Sequence, residues 1–223
     1  MLDPNKETDV PPEPATVLAE ANRSPRTQSR EVRRQQLIEA TISTLAARGF
    51  ARTTLTEVAK TAGISHGLVL FHFETKEKLL TETLTFMTEE YHQNWQAALA
   101  AAPADPAAQL LALIKADFAS AITTPARLGA WCAFWGEAQS RPIYQEACGE
   151  KDAAYIRQLE VICEELVRQG GYGVDAIIAA RILRVVIEGT WLDMMTMQNP
   201  YAPTEALRTV MSTAALCFPK HFR

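Results

Sequence analysis

No run of apolar residues in this 223-residue chain approaches the ~20 that a membrane-crossing helix needs. The N-terminus, MLDPNKETDVPPEP, has neither the apolar core nor the cleavage site of a secretory leader, so a soluble, cytoplasmic protein with no membrane partner is expected. Cysteine is scarce. Cys132, Cys148, Cys163 and Cys217 form no C-x-x-C pair, and only four histidines accompany them, which argues against zinc and for reduced thiols in a core. Catalytic signatures are missing too: no G-x-S-x-G, no H-E-x-x-H and no glycine-rich phosphate loop. The adjacent acids Glu164 and Glu165 sit on an amphipathic segment and read as a solvated face. Neither an enzyme, a cofactor nor a metal is therefore expected. No alternating β-branched run and no internal repeat is visible, which removes strands and solenoids.

What is present is ordinary in amount and uneven in placement. The composition, 48% hydrophobic and 22% charged, is that of a globular chain. Net charge is −4 overall, but residues 1–22 carry −4, residues 23–78 carry +5, and residues 79–223 carry −5. A basic module on an acidic body is the pattern of a small nucleic-acid-binding domain joined to a domain with another task. A solvated basic face would give the same count.

Residues 1–28, with five prolines and few large apolar residues, are expected to be a disordered tail. Its basic end, with Arg23 and Arg26 leading to Arg30, is either an arm along DNA or a plain linker. From residue 29 onward the periodicity is helical throughout. Ile38, Ile42 and Leu45 share one face of a first helix ended by Gly49. Thr54-Leu55-Thr56-Glu57 predicts a capping box opening a short second helix, and Gly63 ends it. Ser65 is expected to cap a third short helix, and Thr75 a long fourth one over 75–100. Further helices are predicted over 106–122, 125–140, 142–169, 174–198 and 203–217, most opened by a capping residue, an N1 proline or both. The fold class is all-α with about nine helices. A helix-turn-helix domain over 29–75 precedes a helical domain over 76–223.

Two short capped helices around Gly63-Ile64-Ser65 make a tight helix-turn-helix whose second helix can enter a major groove. Val58, Ala59, Ile64, Val69 and Phe73 face inward. His66, Gly67, Leu68 and Leu70 are left for the outer face. On its own the pattern also suits a purely structural helical hairpin.

The stretch RRQQLIEATISTLAARGFARTTLTEVAKTAGISHGLVLFHFETKEKLL, residues 33–80, resembles the TetR repressor DNA-binding domain along its whole length. TPARLGAWCAFWGEAQSRPIY (124–144) and IEGTWLDMM (187–195) are similar to the C-terminal domain of the BetI branch, repressors of choline-to-betaine genes. The resemblance implies double-stranded operator DNA as partner. Thr54 and Thr56 would bond phosphate or a base edge, and Ser65, His66, Gly67, Leu68 and Leu70 would face the groove. Phe71, His72 and Lys76 would touch the backbone. The chain departs from the family at Leu70 and Phe71, where tyrosines are frequent, and Glu74 is unfavourable beside phosphate.

The resemblance also implies a small-molecule effector among the C-terminal helices. Trp131, Phe134 and Trp135 fall on one helical face, and Glu188, Trp191 and Met195 on another, with Asp193 close by. Tyr144, Tyr155 and Phe118 are further candidates. Aromatic faces beside a carboxylate suit a quaternary amine such as choline; ordinary core or interface packing of these aromatics is the competing reading. Ile177, Ile178, Ile182, Val185 and Val186, with Leu207, Val210, Met211 and Ala214, would form a homodimer bundle. The function implied is a repressor controlled by its effector; the alternative is a helical ligand-binding or interaction protein with a vestigial helix-turn-helix.

Overall fold

The computed structural model describes residues 25–137 and 142–222, and these contain nine helices and no strand. They are α1 (Pro25–Arg48), α2 (Leu55–Ala62), α3 (His66–Phe73), α4 (Lys76–Ala101), α5 (Pro106–Asp117), α6 (Pro125–Trp135), α7 (Pro142–Gly170), α8 (Ala176–Thr196) and α9 (Pro203–Cys217). The chain divides into two units, Met1–Gln36 and Leu37–Arg223. Most of the expected tail lies outside the described residues, but its last four are already helical. A proline suits the first turn of α1, where an amide would go unused. Periodicity misses this opening turn because Pro25–Gln36 carries no apolar stripe.

Helix ends follow local chemistry. The Thr54 hydroxyl accepts from Glu57 N at 3.2 Å, so half of the expected capping box forms. The Glu57 carboxylate turns instead to Arg48, 2.7 Å away, and ties α2 to the end of α1. Gly63 closes α2 at φ +67°, and Ile64 N reaches back to Ala59 O at 3.0 Å. Ser65 occupies the N-cap position of α3, but its hydroxyl makes no capping bond, contrary to expectation. Thr75, Asp105, Thr124 and Asp175 each cap the following helix through a side-chain oxygen.

Two predicted helices are shorter than their periodicity suggested. α5 stops at Asp117 rather than 122, where tight turns over 118–123 and the Asn94 side chain, bonded to Ala116 O at 2.9 Å, take up its last carbonyls. α6 stops at Trp135, capped by Gly136.

Within Leu37–Arg223 two apolar clusters form. One joins α1, α2, α3 and the first half of α4 to Ala130, Trp131 and Phe134 of α6. The other joins Trp95 of α4 to α5, α7, α8 and α9. α4 spans both, at about 39 Å for its 26 residues. None of the described helices is long and apolar enough to cross a membrane.

Candidate DNA-reading face and effector cavity

The helix-turn-helix is held from behind. Val58, Val69 and Phe73 are fully buried, and the Thr44 hydroxyl of α1 donates to that of Thr61 in α2 at 3.0 Å. Thr54, Thr56, Ser65, His66, Gly67, Leu70 and Phe71 are exposed, and Leu68 is half-buried, so these lie where an outer reading face needs them. His72 does not: it is 6% exposed and turned into the module, because its place on α3 adjoins Phe73. Lys76 is also differently engaged. Its ammonium donates to the carbonyls of Phe50 and Ala51 at 3.2 and 3.3 Å and pins the loop before α2. Exposed Arg52 and Lys60 are the cations nearby in sequence that residue-by-residue reading passed over. No periodicity marks them.

A cavity of about 160 Å³ opens among α4, α6, α7 and α8. It brings together Trp131, Trp135, Tyr144, Glu188 and Trp191, five of the seven expected effector residues, along with Tyr155. Phe134 faces elsewhere, edge-on to Phe50 at 6.0 Å. Met195 does not line the cavity but packs beside Gly129, and Phe118 is core. Asp193 is exposed and accepts from the Tyr201 hydroxyl at 3.3 Å.

The cavity wall is aromatic and its electrostatics are acidic. Trp135 lies parallel to Trp191 at 6.1 Å between centroids and stacks on Trp131 at 6.2 Å. Its indole N–H donates to the Tyr144 hydroxyl at 3.0 Å. Tyr91 meets Trp191 edge-on at 5.9 Å. Asp152, Arg184 and Glu188 supply the charges, two negative and one positive, and Arg184 pairs with Glu188 at 2.6 Å. Burial, and then the neighbouring Glu188, pushes Asp152 up to about 6 against the pull of Arg184.

Behind this wall sits Asp117, fully buried. The Tyr91 and Tyr155 hydroxyls each donate to one of its carboxylate oxygens at 2.7 Å, and the Trp191 indole N–H donates to its backbone carbonyl at 3.1 Å. Burial raises this carboxyl to about 7; the two hydroxyls oppose the rise and Glu188 adds to it. Sequence reading missed Tyr91, Asp117, Asp152 and Arg184. The two acids did leave a signal: each interrupts an apolar stripe, Leu110-Leu113-Ile114-Asp117 on α5 and Tyr144-Cys148-Asp152-Tyr155 on α7.

Helix α6 links the cavity to α1 and α4. Trp131 and Trp135 look into the cavity, while Gly129 lies so close to α1 that a Cβ there would sit 2.8 Å from Ala46 Cβ and 3.0 Å from Ala46 Cα. At its start Arg127 pairs with Glu39 of α1 and Glu90 of α4, each at 2.7 Å.

Comparison with known proteins agrees with this architecture. Residues 37–83 match the family model of bacterial regulatory proteins of the tetR family, and residues 106–219 match that of the BetI-type transcriptional repressor C-terminal domain. The HTH-type transcriptional regulator BetI of Paraburkholderia xenovorans is 32% identical over 197 residues, covering 83% of this chain and 93% of the relative. BetI of Escherichia coli K12 is 27% identical over 175 residues, covering 76% and 90%. Among solved structures, a transcriptional regulator from Pseudomonas aeruginosa PAO1 superposes with a TM-score of 0.71 at 26% identity, covering 91% of this chain and 97% of that one. A regulator from Saccharomonospora viridis in complex with choline gives 0.70 at 19% identity, covering 82% and 95%; at that identity it shows the fold alone. The chain belongs to the TetR family and is a transcriptional repressor, not an enzyme, with a BetI-type C-terminal domain.

Proposed function

We propose that this repressor acts as a homodimer on a two-fold operator and that a quaternary ammonium compound of the choline class, bound in the aromatic cavity, lowers its affinity for DNA. One observation carries the effector reading. Three tryptophans and three tyrosines line a single cavity that also holds two carboxylates and one arginine. A cation whose charge is spread over methyl groups binds aromatic faces without needing a hydrogen-bond donor, each contact contributing about 0.5–2 kcal/mol once desolvated. The surplus carboxylate supplies its counter-charge. The S. viridis regulator, alike in fold, is itself a choline complex.

The dimer reading rests on α8. Ile178, Ile182, Val185 and Leu192 are 42–53% exposed and fall on one stripe, with Gly189 between them, where small size permits close approach. An exposed apolar stripe of this length is stabilised by a second copy. Two copies would set recognition helices about one DNA turn, ~34 Å, apart.

Coupling runs through α6. A ligand pressing on Trp131 and Trp135 shifts the helix that carries Gly129 and Arg127, and so biases α1 and α4. The shift in DNA affinity can be no larger than the ligand's differential affinity for the two states. Calorimetric titration of choline into the full-length protein and its Trp191→Ala variant tests the site. Micromolar binding lost in the variant is expected, and absence of binding to the parent protein would remove choline as effector.

A further inference from the structure

Helix α3 offers DNA an almost entirely apolar face. His66, Gly67, Leu70 and Phe71 fall at i, i+1, i+4 and i+5 and are exposed, while Val69, His72 and Phe73 point inward. Leu70 is 38% and Phe71 67% exposed, and no other large apolar side chain of α2 or α3 is exposed to that extent. Leaving a phenyl ring in water forgoes the stabilisation that burial gives, and a covering partner recovers it. The surroundings fit a polyanion. The segment 23–78 carries +5, and exposed Arg52 and Lys60 belong to the same module. Exposed Thr54 and Thr56 at the start of α2 offer hydroxyls to phosphate.

Base edges in the major groove present donors, acceptors and one apolar group, the C5-methyl of thymine. A leucine or phenyl set against a donor or acceptor strips water from it and returns no hydrogen bond, which penalises G·C pairs there. We propose that Leu70 and Phe71, the latter in place of the backbone contact the family pattern implies for it, read thymine methyl groups, so that the operator half-site is specified largely by methyl contacts and His66 is left as the main hydrogen-bonding base reader of α3. The inference rests on the DNA-binding role of this helix-turn-helix and goes beyond it by naming what the helix reads.

The test starts from an operator selected out of random duplexes by the full-length protein. Each thymine is then replaced by deoxyuridine, which removes only the methyl, and affinities are measured for the parent protein, Leu70→Ala and Phe71→Ala. Both side chains are exposed, so both variants should fold, which their melting temperatures check. At one or more thymines per half-site, uracil is expected to weaken the parent protein about fourfold per methyl lost. That penalty should vanish in one of the two variants. Uracil substitutions that all stay within twofold, or penalties identical in parent and variants, would overturn the proposal. Failure to select any sequence is a different result: it would remove the DNA-binding reading itself.

Discussion

Arg127 donates two hydrogen bonds to the carboxylate of Glu39, at 2.7 and 2.9 Å, and thereby fastens the start of α6 to α1. Two more of its donors take both oxygens of Glu90 on α4, at 2.7 and 3.0 Å. A planar guanidinium can satisfy two carboxylates in this way where a lysine cannot. The arginine side chain is only 13% exposed, against 44% and 27% for its partners, so the cluster lies between surface and core.

Arg127→Met keeps most of the packed stem and leaves two neighbouring carboxylates without their cation. Stability is expected to fall by about 1–3 kcal/mol, between the losses typical of exposed and buried pairs. Operator affinity without effector should change less than the response to effector, because the clamp joins the cavity helix to α1 and α4. Thermal melts and operator titrations with and without choline measure the two effects. A full effector response in a destabilised variant would confine the clamp to folding.

Gly129→Ala should be costly out of proportion to one methyl. The new Cβ would lie 2.8 Å from Ala46 Cβ and 3.0 Å from the Ala46 backbone, so α6 must move off α1. Overpacking of this kind costs about 1–3 kcal/mol. Gly149→Ala, two turns into α7 with its closest neighbour the end of the Gln145 side chain at 3.7 Å, is the control and should stabilise by about 0.5–1 kcal/mol. Equal melting temperatures for the two variants would contradict the close crossing.

Stability should fall as pH rises toward neutrality. Folding lifts the Asp117 carboxyl from its ordinary value near 3.8 to about 7, so the native protein keeps a proton that the unfolded chain has released. Its contribution is fully present below about pH 4 and is lost as pH rises through 7. Asp152, raised to about 6, acts with the same sign over a narrower window. Between pH 5 and pH 8 the melting temperature of the parent protein should drop relative to that of Asp117→Asn. A bound cation favours both ionised carboxylates, so choline affinity should rise over the same interval with release of protons, which calorimetry in buffers of different ionisation enthalpy detects.

The fold was largely legible because its punctuation is chemical and local. Thr54, Gly63, Thr75, Asp105-Pro106 and Thr124-Pro125 place helix boundaries through caps and fixed φ angles, which need no tertiary information. Tertiary contacts overrule the period at some helix ends. α5 ends early where the Asn94 and Trp191 side chains take the backbone carbonyls of Ala116 and Asp117. The cavity was half legible: aromatic spacing on α6 and α8 picked out the tryptophans, but Tyr91 comes from α4, whose face looks unremarkable alone, and Arg184 is one charge among several on α8. On α3, His72 faces inward and Lys76, just beyond, is turned to the loop before α2. A family pattern fixes the position of each but not the direction in which its side chain points.

The most direct test is operator affinity of the full-length protein, read by fluorescence anisotropy, with and without saturating choline. Sequence-preferring binding is expected that weakens steeply with salt and falls by about tenfold or more when choline is added, with the choline effect lost in Trp191→Ala. Operator affinity that stays the same while choline demonstrably occupies the cavity would contradict release by choline.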